Sequence, residues 1–124
     1  MRLILSLTLT ALWLSPTMAL AADLSGTWQR SDGRERVTFA PCPDGVCGKL
    51  VWSKPDTKSK AHIGDTVFHD LKRETATSWK GYASNPDDGK TYPGTVTLDG
   101  GKLLTRECIL GGRICRTEIW TRIN

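Results

Sequence analysis

The chain has 124 residues, a formal charge of +4 and 24% charged residues. That length suits one domain of modest core and excludes a multidomain assembly. The positive excess is spread along the chain without a long basic run, so nothing points to nucleic acid or an anionic membrane as partner.

Residues 1–21 have the layout of a secretory signal peptide. Met1-Arg2 precedes an apolar run over residues 3–14, then come Ser15-Pro16 and the small-residue site Ala19-Leu20-Ala21. The apolar run is shorter than a bilayer-spanning helix, and no cysteine adjoins the cleavage site to carry a lipid, so no stable membrane anchor is expected. Cleavage leaves residues 22–124 as a single periplasmic or secreted domain, one unit less positive for the loss of Arg2. All 4 cysteines lie in that domain, which in an exported protein argues for disulfides rather than metal or redox chemistry. Spacing favours Cys42 with Cys47 and Cys108 with Cys115, each across a hairpin; crossed bridges stay open on spacing alone.

Around Gly26-Thr27-Trp28 a short first strand is expected, ended by the turn signal Ser31-Asp32-Gly33. Residues 34–40 alternate, with Val37 and Phe39 on one face and Arg36 and Thr38 on the other. Pro43, Asp44 and Gly45 then supply turn chemistry, and Leu50 and Trp52 share a face by strand parity, so the first three strands form a meander. Residues 54–62 are polar and aperiodic, a loop at the long end of ordinary connections. Val67, Phe68 and Leu71 fit a strand or a helical turn; the β-rich surroundings favour a strand over residues 65–71. A further strand is expected over residues 75–83, closed by the turn Asn85-Pro86-Asp87-Asp88-Gly89, and another over residues 92–98. Asp99-Gly100-Gly101 leads into a last hairpin about Gly111-Gly112.

If that turn holds only the two glycines, Cys108 faces Cys115, Glu107 faces Arg116 and Leu103 faces Trp120. The cysteines would then occupy a hydrogen-bonded pair, whose wider spacing a longer turn would relieve. About eight short strands without helical period or repeat read as an all-β, up-and-down antiparallel barrel or a small sandwich. The barrel is preferred because closure removes exposed edges.

Gly26-x-Trp28, Cys42 to Cys47 running into Gly48-Lys49-Leu50-Val51-Trp52, Asn85-Pro86-Asp87-Asp88-Gly89-Lys90-Thr91-Tyr92, and Cys108 to Cys115 with Arg116 and Trp120-Thr121-Arg122 together resemble the bacterial secreted family called domain of unknown function 2147. The resemblance covers nearly all of residues 22–124 and implies a lipocalin-like barrel whose mouth takes a small hydrophobic or amphiphilic ligand. It also implies an arginine of the last strand lying over Trp28. Arg122 matches that place and Arg116 is the other candidate. Two departures stand out: the segment between Trp52 and Ile63 is shorter than the family pattern, and Glu107 stands where that pattern has a glycine.

Catalytic constellations are missing from the sequence: there is no Gly-x-Ser-x-Gly elbow, His-Glu-x-x-His, phosphate-cradling loop or Cys-x-x-Cys pair. His62 and His69 read as surface groups rather than metal ligands, and Asp87-Asp88-Gly89 reads as turn chemistry rather than a calcium loop, so no metal or cofactor is expected. Trp52, Trp120, Glu107, Arg116 and Glu118 are the candidate ligand contacts, with Glu107 and Arg116 expected to pair; Trp28 and Arg122 are structural. The expected function is non-enzymatic binding of a small, partly hydrophobic molecule. The alternative is a protein-interaction module or inhibitor with a filled barrel, acting through residues 54–62 and 85–89 on an unidentified partner.

Overall fold

In the computed structural model, residues 3, 4, 6, 8–13, 23–55 and 58–124 are described. The expected cleavage site, Ala19-Leu20-Ala21, lies outside them. Of residues 1–21, Leu3, Ile4, Leu9, Leu12 and Trp13 are 87–91% exposed, and none of the described ones is in a helix or strand.

Eight antiparallel strands follow one another around a closed barrel. They are β1 (Gly26–Arg30), β2 (Glu35–Cys42), β3 (Gly45–Ser53), β4 (Thr66–Thr75), β5 (Ser78–Asn85), β6 (Lys90–Asp99), β7 (Lys102–Ile109) and β8 (Ile114–Arg122). Among the described residues no helix is long and apolar enough to cross a membrane. Strand alternation sends Val37, Phe39, Leu50, Phe68, Leu71, Trp79, Val96, Leu103 and Trp120 into one buried core. Phe39 and Phe68 pack with ring centroids 5.3 Å apart, and Phe68 meets Trp120 edge-on at 6.4 Å.

β4 and β5 differ from the sequence expectation. The predicted strand over residues 75–83 in fact begins with a hairpin turn at Ala76-Thr77, so β4 runs on to Thr75. No glycine, proline or asparagine marks this turn. Hydroxyls close it instead: Thr75 Oγ1 and Ser78 Oγ are 2.6 Å apart, and the Thr77 amide donates to Thr75 Oγ1 at 3.3 Å. Within β4 the pairing with β5 shifts between His69 and Lys72, where Asp70 takes φ 53°. This bulge turns both Phe68 and Leu71 inward although they are three residues apart, which explains why their spacing also fits a helical turn. The bulged backbone presses on β5, where a β-carbon on Gly81 would lie 2.6 Å from the His69 carbonyl oxygen.

A second bulge corrects the placement of Trp52. β2 pairs with β3 through Arg36↔Trp52 and then Val37↔Leu50, which leaves Val51 unpaired. The extra residue reverses the parity, so Trp52 joins Arg36 on the outer face while Leu50 stays in the core. The Arg36 guanidinium carbon lies 4.6 Å from the Trp52 ring centroid.

The last hairpin has the register read from the sequence, Leu103↔Trp120, Glu107↔Arg116 and Cys108↔Cys115. Its chain reversal occupies residues 110–113, with Leu110, Gly111 and Gly112 all at positive φ and the Arg113 amide donating to the Leu110 carbonyl at 3.4 Å. Both local disulfides are present, Cys42–Cys47 and Cys108–Cys115. The Cα atoms of Cys108 and Cys115 are 4.1 Å apart, the close spacing of a non-hydrogen-bonded pair rather than the wide one expected.

Closure brings β1 beside β8, through Trp28↔Arg122, Gln29↔Thr121 and Arg30↔Trp120. One end of the barrel is sealed there. Trp28 is buried, its indole N–H donates to the Leu24 carbonyl at 3.1 Å, and the Arg122 guanidinium lies 4.3 Å from its ring centroid. Arg122 also donates to the Ser25 and Asp23 carbonyls at 2.7 and 2.9 Å. A β-carbon at Gly26 would stand 2.5 Å from Arg122 Nη1, so only glycine admits this clasp without displacing it.

Candidate functional site

The opposite end of the barrel is open. Up-and-down order places the β1–β2 turn, the long segment between β3 and β4, the β5–β6 turn and the β7–β8 hairpin tip at this end. Between them lies a cavity of about 310 Å³. Leu50, Phe68, Thr105 and Trp120 belong to its floor, where Thr105 is buried and its hydroxyl accepts the Trp120 indole N–H at 2.9 Å.

Two opposed walls rise from that floor. Ala61, Val67, Phe68 and Pro86 face the cavity from β4 and the flanking loops, with the polar Lys58, Ser59, Ser84, Asn85 and Asp87 around them. Across the barrel, β1, β7 and β8 present Arg30, Glu107, Arg116 and Glu118, with Glu35 beside them on β2. Eight strands in sequence order put β8 diametrically opposite β4, so Glu118 and Arg116 face the apolar patch of Val67 and Phe68 across the barrel.

The charged wall is largely paired. Arg30 holds Asp32 through Nε at 2.9 Å and Nη2 at 2.9 Å, and its Nη1 lies 3.5 Å from Glu35. The hydrogen bond from Arg30 keeps the Asp32 carboxyl below the ordinary range, against the opposing effect of burial. On β8, Arg116 Nε lies 3.7 Å from Glu118, two residues on and therefore on the same face. The expected Glu107–Arg116 ion pair is thus replaced by one within β8. Among the described residues Glu107 has neither a hydrogen bond nor an ion pair. Burial pushes its carboxyl up; Arg116 and Arg30 oppose this, and Glu118 and Glu35 add to it.

Of the candidate contacts read from the sequence, Glu107, Arg116, Glu118 and Trp120 come together around the cavity. Trp52 does not; it lies outside, under Arg36. Sequence reasoning missed Arg30, Glu35, Val67 and Phe68. Parity with Trp28 would have found Arg30, and parity with Val37 would have found Glu35. Phe68 depended on the unforeseen bulge.

The rim is tied down locally. Asn85 Oδ1 accepts the Asp87 amide at 2.9 Å, Asp88 Oδ1 accepts the Lys90 amide at 2.8 Å, and the Tyr92 hydroxyl donates to Asp88. The Lys60 amide reaches Asp87 at 3.3 Å and links the long loop to this turn. His69 Nε2 is hydrogen-bonded to Ser84 Oγ, and the His62 amide donates to Asp65. Among the described residues no group of three or more His, Cys, Asp or Glu side chains is placed to hold a metal ion. A shallower groove of about 620 Å³ runs along the outer wall beside the Asp70 bulge and contains none of the candidate contacts.

Residues 26–122 match the family described as "Uncharacterized protein conserved in bacteria (DUF2147)". No curated protein and no solved structure matches the chain.

Proposed function

The chain belongs to the DUF2147 family of uncharacterized bacterial proteins, and on that premise we propose that it is an exported, non-enzymatic binding protein that takes a small amphiphile in the barrel mouth. The opposition of walls carries this reading. A cavity with the apolar patch of Ala61, Val67 and Phe68 on one side, rimmed by polar loop residues, and Glu107, Arg116 and Glu118 on the other fits a molecule with a short apolar body and a polar head. Its volume of about 310 Å³ suits a ligand at the small end of the range for such pockets.

Export is supported by the signal-peptide pattern of residues 1–21, by the exposure of its described apolar side chains, and by the pairing of all described cysteines as disulfides. N-terminal sequencing of protein from a periplasmic fraction is expected to begin at Ala22; a retained leader overturns that part of the reading. For binding, native mass spectrometry of the same material should reveal a bound small molecule. Tryptophan fluorescence across a panel of fatty acids, alcohols and amines should respond through Trp120 in the floor. A blank panel together with a ligand-free mass overturns it.

The alternative, an interaction module, draws on the β7–β8 hairpin, whose tip exposes Ile109, Leu110 and Ile114 beyond the mouth. Affinity capture returning a defined protein, with a blank amphiphile panel, would decide for it.

A further inference from the structure

The mouth holds charges of both signs, and the ones already engaged are informative. Arg30 spends its guanidinium on Asp32 and Glu35, Arg116 faces Glu118, and Arg34 Nε lies 3.9 Å from Asp32. Glu107 remains as a half-buried carboxyl on the cavity wall with neither a hydrogen bond nor a close ion pair among the described residues, although Arg116 stands opposite it on β8. The Glu107 oxygens keep contact with water, and a cation delivered to them adds an ion pair in a partly desolvated site.

The surroundings place that cation. Going up β7 from the core, Leu103, Thr105 and Glu107 face inward at successive levels. Across on β8 they meet Trp120, Glu118 and Arg116. Glu107 and Glu118 are thus diagonal neighbours on the inner face, one level apart, and a head group between them stands above Trp120. From that position an apolar chain can lie against Ala61, Val67 and Phe68 on the opposite wall.

We propose that the cavity selects an amphiphile with a cationic amine head, a primary ammonium on a short apolar chain, seated by Glu107 with Glu118 beside it. This rests on the amphiphile reading above and narrows it to one head-group class. The rival cations of the mouth are Arg30 and Arg116, held by Asp32, Glu35 and Glu118, and Arg34 and Lys58. If they set the preference instead, the head is an anion.

Three probes of equal chain length separate these cases: octylamine, octanol and octanoate, titrated into the full mature protein at neutral pH by calorimetry and tryptophan fluorescence. Octylamine is expected to bind at least about tenfold more tightly than octanol, and octanoate more weakly than either; one tenfold step corresponds to about 1.4 kcal/mol. Glu107→Gln should lose that tenfold advantage of octylamine over octanol. Octanoate binding best, or octylamine binding to E107Q unaltered, overturns the amine assignment while leaving amphiphile binding intact. Silence of all three probes overturns both. The head-group comparison uses the wild-type protein, so it decides even if E107Q fails to fold.

Discussion

Glu107 is the carboxyl of the mouth whose ionised form folding disfavours. Burial raises its carboxyl above the ordinary 4.5, with Glu118 and Glu35 adding to this and Arg116 and Arg30 opposing it. An acid whose pKa is raised by folding binds its proton more tightly in the folded state. Its contribution to stability is complete below the unfolded value and is lost as pH rises through the folded one. Glu107→Gln should therefore melt above wild type at pH 7 and converge on it below the ordinary value of 4.5. Differential scanning calorimetry at both ends of that window checks the sign, and a gain of equal size at both would refute it. Asp23 and Asp32 run the other way. Their carboxyls are lowered, first by the hydrogen bonds from Ser25 and Arg30, so what they contribute is present above 3.8 and fades in acid. At the sealed end, Trp28 combines burial, an indole hydrogen bond and the Arg122 cation. Trp28→Ala should cost roughly 3–5 kcal/mol in urea unfolding, and a loss near zero would show that the ring does not hold the base.

At the scale of strands and turns, the two disulfides brace hairpins that lie at opposite ends of the barrel. They close short loops, at sequence separations of 5 and 7. The chain-entropy effect is then about 2 kcal/mol for each bridge. Reduction should lower the melting temperature clearly, and serine variants of one pair at a time should account for about half of the loss each. A single pair carrying all of it would contradict the loop-length argument. The cysteine hairpins were legible in the sequence because their turns depend on single residues: Pro43-Asp44 before Gly45, and the glycines after Leu110. The same holds for Asn85 to Gly89 and Gly100-Gly101. The turn at Ala76-Thr77 was hidden because paired hydroxyls of Thr75 and Ser78 do the work of a turn residue. Bulges are harder still. The extra residue Val51 and the left-handed Asp70 are defined only against the partner strand, and one of them moved Trp52 out of the site while the other brought Phe68 into it. The placement of Glu107, Arg116, Glu118 and Trp120 on one face could be read in advance because the β7–β8 pairing runs without a shift from Lys102 to Ile109.

For the molecule as a whole, closure is the feature with the weakest local support. Each of the other strands pairs with a neighbour in sequence through a turn or loop, so those contacts cost little chain entropy to form. The β1–β8 seam joins the two ends of the domain and pairs only from Trp28↔Arg122 to Arg30↔Trp120. Flanking bonds lengthen it slightly: the Ile123 amide to Thr27, the Thr27 amide to Asn124 and the Ser31 amide to Ile119, at 2.9, 3.0 and 2.8 Å. Arg122 then clamps the seam by reaching across to the Ser25 and Asp23 carbonyls while covering Trp28. The seam is accordingly the place where the barrel should open first without unfolding as a whole. Native-state amide exchange should show β1 and the end of β8 exchanging through an opening of lower free energy than β5 and β6, which pair without interruption from Ser78↔Thr97 to Asn85↔Lys90. Arg122→Ala should accelerate exchange at the seam more than in β5 or β6. Uniform exchange across all eight strands, unchanged in local pattern by R122A, would mean that the barrel opens only by global unfolding and that the arginine clasp adds nothing specific to closure.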